Sequence, residues 1–406
     1  MCSLRCETHG ENPLKGRKIF ALLLIWMCLN NNPSEHSKKY LPTFGLCLEI
    51  LLTMSDGRYV DGSIYFYAPN KGAPVFFAVA FAVSGICHIY QCFHYQSWRL
   101  TTFYVTCAVL FTAGFIVREL GAFDYGDLVK FIVTTCLVYA APPIAELANY
   151  NILGRILYYV PYHSPIHPGR VITTFAFIST VVEALNGNGA SLSANQSLPR
   201  WKQELGRNLL KAALLIQLVV IAFFVLLAGT FHRRCRRGGI RSAKLENVLY
   251  TLYASTSLLT IRTIYRVVEY WSVAELHYDD KSLDPMSLSP IIRYEWFFYV
   301  FEASLMLVNH VLMNVRHPRR YLPKSTKTYL SVRDGKTEIT GPGYKDSRPF
   351  LLTLVDPFNL GGLIRGKGDG NVKFWEEEDD GHEANKLESQ KVKAKDYVNE
   401  DVEAAR

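Results

Sequence analysis

The sequence predicts an all-α membrane protein: a seven-transmembrane-helix bundle, N-out/C-in, with a mostly disordered cytosolic tail. Three observations predict it. Seven largely apolar stretches reach the roughly 20 residues that a helix needs to cross a bilayer core. Lys and Arg gather in alternate connections between those stretches. The composition changes at Arg316, from apolar to charged and rich in Gly, Lys and Glu, which is why the mean hydropathy of the whole chain is only +0.07.

Inside a bilayer every backbone polar group must be satisfied by its own segment or a closed barrel, so apolar runs of this length read as helices. They extend from Ala73 to His94, Arg99 to Leu120, Asp127 to Leu153, Arg170 to Gly189, Asn208 to Phe231, Asn247 to Tyr270, and Ile292 to Val315. If the first helix enters from outside, the cytosolic connections hold thirteen Lys/Arg, six of them between Arg233 and Lys244, against four outside (Arg200, Lys202, Arg207 and Lys281). Cytosolic loops carry the excess of Lys and Arg, which sets the orientation. The sequon Asn195-Gln196-Ser197 then falls in an outside loop, where it can be glycosylated, although the three basic residues that follow it pull the other way.

The expected division is residues 1–53, an N-terminal extension or signal-like segment; 54–72, an extracellular segment; 73–315, the transmembrane domain; and 316–406, the cytosolic tail. Lys15, Arg17 and Lys18 precede a short apolar run from Ile19 to Leu29, which resembles a signal peptide without a clear cleavage site. The alternative is an extension preceding a start at Met54. In the tail, residues 350–364 form an apolar island able to meet the membrane or a cytosolic partner, with a plain flexible linker as the simpler reading, and an acidic run follows at Glu376 to Asp380. Disorder is expected for most of the tail, given its charge.

Several function classes are excluded. The net charge of +8 reports topology rather than nucleic acid, because the basic residues flank apolar segments. Residues 361–367 spell GxxxxGK, but Gly368 follows where Ser or Thr would hold magnesium, so no ATP motor is encoded. His88, His94, His163, His167 and His310 have no metal-ligand spacing, and the nine cysteines form neither a zinc pattern nor a disulfide framework. No cofactor is expected, and no enzyme activity.

An ionisable side chain at mid-bilayer costs about 2.5–3.5 kcal/mol to insert, so those present face a bundle interior or a cavity. In the sixth helix Arg262, Arg266 and Glu269 share a face. In the seventh, Glu295, Tyr299, Glu302 and Asn309 form a stripe, and in the third, Tyr139, Glu146 and Tyr150 align around Pro142-Pro143. Those prolines are expected to kink the third helix for packing or to make it a hinge. Asn186 to Gly189 read as the end of the fourth helix, as a cap or a polar binding turn. Glu146, Glu183, Glu269, Glu295 and Glu302 outnumber Arg262 and Arg266, and a cavity with surplus carboxylate suits a cationic amphiphile. The alternative is that these groups are ion pairs and hydrogen bonds that hold the bundle together.

Seven blocks, in order, carry a family resemblance: YFYAPNKGAP, AGFIVRELGAF, APPIAELANYNILGR, SPIHPGR, EALNGNGAS, RTIYRVVEY and EWFFYVFEASLM. Over roughly 260 residues (56 to 315) the chain resembles the fungal lipid-translocating exporter family, named for aminocholesterol and sphingoid long-chain-base resistance. The resemblance implies plasma-membrane export or transbilayer movement of amphiphilic lipids, sphingoid-base or sterol-like, and resistance to lipid or drug stress. Arg262, Arg266, Glu269 and Glu295 match its RxxxRxxE and following Glu. Ser179 stands where the family often has Asp, Asn186 where Gln is usual, and Glu302 where Asp is usual. Glu183, one turn from Ser179, is the substitute acid that the resemblance suggests. A seven-helix receptor or stress sensor signalling through its tail is the rival reading. It lacks a DRY-like motif, NPxxY, and the seventh-helix Lys of a retinal protein. Membrane lipids or amphiphilic amines are the expected partners, and the sequence sets no oligomeric state.

Overall fold

The computed structural model describes residues 59–60, 63–65, 67–166, 168–195, 197–274, 289–331, 334–335 and 337–341. The N-terminal 53 residues, the acidic connection at 275–288 and the tail from 342, including its apolar island, lie outside the described residues.

Seven long helical rods form the bundle: α1 (Ala73–Tyr95), α2 (Trp98–Phe123), α3 (Leu128–Tyr159), α4 (Pro168–Ala194), α5 (Arg200–Arg237), α6 (Ala243–Ala274) and a composite α7. In α7, an α-turn at Trp296–Phe298 passes through a π-helical segment at Tyr299–Ser304 into a regular helix at Leu305–Val315. Consecutive rods pack side by side, α7 returns to α1, and α3 touches α2, α4, α5 and α6. That central position explains why Ala141, Ala145, Ala148, Leu153, Ile156 and Leu157 of α3 are all fully buried.

Six rods, all but α6, are long and apolar enough to cross a membrane. The sixth predicted span, α6, carries Arg262, Arg266 and Glu269 in its second half, and these charges lower its apolarity. The bundle wears its apolar residues outward as well as inward. On α1, Val75, Val79, Val83, Ile86, Tyr90 and Phe93 recur at helical spacing and are 47–67% exposed. A continuous outward apolar stripe of this kind is stable against lipid tails and not against water. The chain is an integral membrane protein.

Local sequence sets the starts of three of these helices. The Asp127 carboxylate caps α3 by accepting from the N–H groups of Val129 (2.9 Å) and Lys130 (3.3 Å). Pro74 opens α1 behind Gly72, whose φ of +111° suits glycine, and Pro168 opens α4. Pro142 and Pro143 remove two hydrogen bonds from α3, yet the helix runs on to Tyr159 with both rings buried. The departure from α geometry lies instead in α7.

The fourth helix does not end at Asn186 to Gly189. It continues to Ala194, and Arg200, Lys202 and Arg207, expected in a loop, are on α5. The reason is packing. A Cβ on Gly206 would lie 2.6 Å from the Ser193 nitrogen and 2.8 Å from the Gly189 carbonyl oxygen, so the backbones of α4 and α5 touch where both lack side chains. Gly206→Ala is expected to destabilise the protein by about 1–3 kcal/mol, because backbone cannot yield to the methyl. Gly229→Ala, on the same helix with open space around it, is the control and should be neutral or stabilising. Thermal unfolding in detergent measures both.

The start of the tail is folded. After a turn at Pro318–Arg320, β1 (Thr328–Leu330) and β2 (Glu338–Thr340) pair antiparallel with Tyr329 opposite Ile339. Leu330 and Tyr329 are buried. Arg155 of α3 donates to the Pro323 and Lys324 carbonyls at 2.8 and 2.9 Å, and Tyr162 to that of Ser331. The Glu338 carboxylate accepts from Tyr159 (2.9 Å) and Lys244 (3.0 Å), bridging the ends of α3 and α6. The Lys244 ammonium is the main reason its carboxyl is held below the usual carboxylate range. A carboxyl depressed on folding stabilises the docked hairpin above its unfolded pKa, and the contribution fades as pH falls through the lower folded value. Hydrogen exchange across 328–340 should therefore accelerate below about pH 4.3. In Glu338→Gln it should be fast already at pH 7, and a pH-independent exchange pattern in the parent would refute the clamp.

Candidate functional site

The ionisable groups of the bundle assemble into three guanidinium–carboxylate pairs and one acidic patch. At the end of the bundle where α1 begins, Arg118 of α2 meets Glu295 at 2.9 Å, and the other Glu295 oxygen accepts the Asn70 N–H at 2.8 Å. Arg118 Nε donates to the Tyr299 hydroxyl (3.2 Å), and its guanidinium lies 4.2 Å from the centre of the Phe298 ring. The pair thus ties the segment before α1 to α2 and α7, and both side chains are at most 5% exposed.

About two turns further into the bundle, Arg262 of α6 grips both oxygens of Glu302 at 2.9 Å through Nε, with a second contact of 2.8 Å through a terminal nitrogen. Glu302 sits in the π-helical segment. A π-turn inserts one residue and rotates the helix that follows, so Glu295 and Tyr299 reach Arg118 while Glu302 reaches Arg262 on another rod. The uniform stripe expected along the seventh helix is therefore divided between two partners. Arg266 pairs with Glu269 on its own helix, and its guanidinium stacks 3.7 Å from the centre of the Tyr139 ring.

Between these pairs lies a cavity of about 260 Å³, walled by the segment before α1, α2, α3, α6 and α7. Its polar lining is Arg118, Arg266, Glu269, Thr134 and a set of tyrosines that includes Tyr65, Tyr67, Tyr139 and Tyr265. Burial raises the phenol pKa of Tyr67, so this wall is neutral and hydrogen-bonding rather than anionic. The acidic patch lies elsewhere, between α3, α4 and α5. Glu146 accepts from Gln217 (2.8 Å) and Tyr150 (3.2 Å), and Glu183 from Asn186 at a long 3.4 Å. Among the described residues, no cation forms a salt bridge with either glutamate.

The RTA1 like protein family model matches residues 103–325, more than half of the chain and most of this bundle. The chain belongs to the RTA1-like family. Its relatives include the lipid-translocating exporter-like protein RTA1 of Leptosphaeria maculans, 44% identical over 320 residues, 76% of this chain and 61% of that protein. The chain thus spans less than two thirds of that relative. The probable lipid transporter atnI of Emericella nidulans is 25% identical over 275 residues, 64% of this chain and 69% of that protein. Protoporphyrin uptake protein 1 of Saccharomyces cerevisiae is 24% identical over 305 residues, 65% and 94% of the two chains. No solved structure matches.

In this RTA1-like bundle the structure places Arg266 and Glu269 on the cavity wall, with Glu295 and Tyr299 beside it through Arg118. It places Arg262 and Glu302 behind them, and Glu146 and Glu183 in the separate patch. The sequence count omitted Arg118 and its neighbour Glu119 alike. With Arg118 paired to Glu295, the span glutamates without a salt bridge among the described residues are Glu119, which accepts the Gly72 N–H at 3.1 Å, and the Glu146 and Glu183 of the patch. Arg118 was legible as a charge inside an apolar run, within the block AGFIVRELGAF. The tyrosine wall was not, since tyrosines spread over four segments give no local pattern. Asn195, the sequon residue, is exposed at the turn after α4, where its side chain accepts the Ser197 N–H at 3.0 Å.

Proposed function

We propose that this protein moves amphiphilic lipids across the membrane, with the polar head lodged in the tyrosine-lined cavity and the apolar tail left among the outward stripes. The observation that carries this reading is the cavity itself. It sets Arg118, the Arg266–Glu269 pair and tyrosine hydroxyls among apolar side chains, inside a bundle with outward apolar stripes. A head group can exchange water for hydrogen bonds there without meeting an unpaired charge. The names of the relatives, exporter, transporter and uptake protein, support the class of activity and not a substrate. Glu146 and Glu183, which have no salt-bridge partner among the described residues, favour a cationic head at a second station between α3, α4 and α5. On this reading the chain is a carrier and not an enzyme.

The reading includes seven crossings, with α6 held in the bilayer by pairing its charges inside the bundle. It puts residues 54–72 and Asn195 outside, residues 316–406 in the cytosol, and the protein in the plasma membrane. The basic residues from Arg233 to Lys244 and from Arg316 to Lys324 then share the cytosolic end.

The test uses purified protein in liposomes carrying a fluorescent long-chain amine in one leaflet. Protein-containing vesicles should transfer it faster than empty ones, and Arg266→Ala or Glu269→Gln should slow transfer at equal protein content. Glu146→Gln should slow an amine more than an uncharged analogue. Transfer equal to that of empty vesicles would reject lipid movement. Truncation after Lys324 that removes the cellular phenotype while transfer persists would favour the sensor reading.

A further inference from the structure

Basic side chains gather at the end of the bundle where the tail hairpin docks. Arg99 stands in the first turn of α2 and Arg155 near the end of α3, while Arg316 caps α7 and Arg319, Arg320 and Lys324 follow it. Among the described residues none of these six forms an ion pair. The acids of this end are engaged elsewhere: Glu246 with Arg236 at 3.8 Å, Glu338 with Lys244 at 3.0 Å, and Asp334 with the Thr337 N–H at 3.1 Å.

Neutral acceptors hold these guanidiniums in place. Arg155 and Arg319 donate to the same two carbonyl oxygens, that of Pro323 at 2.8 Å each and that of Lys324 at 2.9 and 3.2 Å. Arg320 donates from Nε to the Tyr95 hydroxyl (3.1 Å) and from one terminal nitrogen to the Val315 carbonyl (3.3 Å). Two guanidiniums fixed on shared oxygens repel each other, and an anion beside them relieves that repulsion. Donors are left for it. Arg155 makes both bonds through one terminal nitrogen, so its Nε and other terminal nitrogen are unbonded and not sealed from solvent. Arg99, Arg320 and Lys324 are exposed. Arg319 Nε is sealed, so that residue contributes charge rather than a further bond. The depth of the cluster is marked by aromatic residues. Trp98, next to Arg99, is 42% exposed, and Phe93 stands edge-on to it at 4.9 Å. An outward Trp at the end of an apolar stripe marks the level where acyl chains meet head groups. Asn151, one turn before Arg155, donates to the Arg99 carbonyl at 2.6 Å, which puts Arg155 at the same level.

We infer that Arg155 and Arg319 centre a binding site for the phosphate of an anionic lipid head group, flanked by Arg99, Arg320 and Lys324. A planar guanidinium presents paired N–H donors that match two phosphate oxygens. A phosphate monoester carries close to two negative charges and so answers the two guanidiniums that no carboxylate neutralises. Both arginines also hold the Pro323–Lys324 segment, the link between α7 and the hairpin. An occupied site therefore steadies that link, and the head groups of one leaflet gain a hold on the folded start of the tail. The inference needs the bundle in a membrane and does not need lipid movement.

The test uses the full chain in phosphatidylcholine nanodiscs, with or without phosphatidic acid, and reads hydrogen exchange. Phosphatidic acid should slow exchange from Arg316 to Lys327, about tenfold once the lipid is about ten times above its Kd, and leave the other basic run, Arg233 to Lys244, unchanged. Arg155→Gln should lose most of this protection, and Arg155→Lys, which keeps the charge without the fork, should keep part of it. Arg236→Gln removes a basic residue on another helix and should keep all of it. Exchange that is the same with and without phosphatidic acid, or protection spread equally over both basic runs, would overturn the site. Both outcomes are read on the parent protein, so poor folding of a variant does not shelter the inference. Inorganic phosphate that gives the same protection in plain phosphatidylcholine would overturn the lipid as the source of the phosphate. Protection in a protein that transfers no amine would reject lipid movement and leave the site standing.

Discussion

Glu302→Gln should destabilise the protein by about 3–5 kcal/mol, the range for breaking a buried ion pair from one side. Its partner Arg262 is 4% exposed and donates to both Glu302 oxygens. Arginine cannot shed its charge, so a neutral amide in place of the carboxylate would leave a bare guanidinium among apolar helices. Arg262→Met should be milder, because the stranded Glu302 can take up a proton and become neutral. The double variant, Arg262→Met with Glu302→Leu, should recover most of the loss, since a well-packed apolar pair can replace a buried ionic one. Thermal unfolding in detergent, run as a double-mutant cycle, reads the asymmetry. Equal losses in the two single variants would mean that the pair is hydrated rather than buried.

Breaking the other long-range pair should unfasten the segment before α1. Glu295→Gln leaves Arg118 among Tyr65, Phe298 and Tyr299 without its counter-charge and weakens the acceptor of the Asn70 N–H. A stability loss of about 3–5 kcal/mol is expected. Hydrogen exchange at Tyr67 to Lys71 should rise by more than it does in α5, and amine transfer should fall, because that segment is a wall of the cavity. Arg118→Lys keeps the charge but loses the fork and the flat face that stacks on Phe298, so it should restore only part of the stability. Unchanged exchange in both variants would show that the segment is held by its aromatic packing alone.

These two pairs also show how far the sequence could be read. The charges of the sixth and seventh helices stood out because each is expensive in a bilayer, and their helical spacing indicated that they face inward. The spacing could not say who pairs with whom. Arg266 and Glu269, three residues apart, pair as local geometry allows. Arg262 instead reaches 40 positions along the chain to Glu302, and Arg118 reaches 177 to Glu295. The π-turn that makes both long-range pairs possible has no sequence marker of its own. The histidines are similar: His88 and His310 are 222 positions apart in the sequence, as their numbers show, and neither sits in a ligand motif. Only the return of α7 to α1 makes them neighbours. The glycines of the fourth helix misled in the opposite direction. Gly and Asn signal a helix end when nothing else is known, but here Gly189 meets Gly206 across a helix contact that sequence alone does not reveal.

The sequence by itself determined the membrane class, the positions of the helices and the charged residues that must face inward, because lipid penalises each error locally, residue by residue. Only the tertiary structure decided which glutamate holds which arginine, that Glu146 and Glu183 share a patch of their own, and that tyrosines from distant segments wall one cavity. Those outcomes depend on distances between rods, and a distance between rods is set by packing summed over the whole bundle.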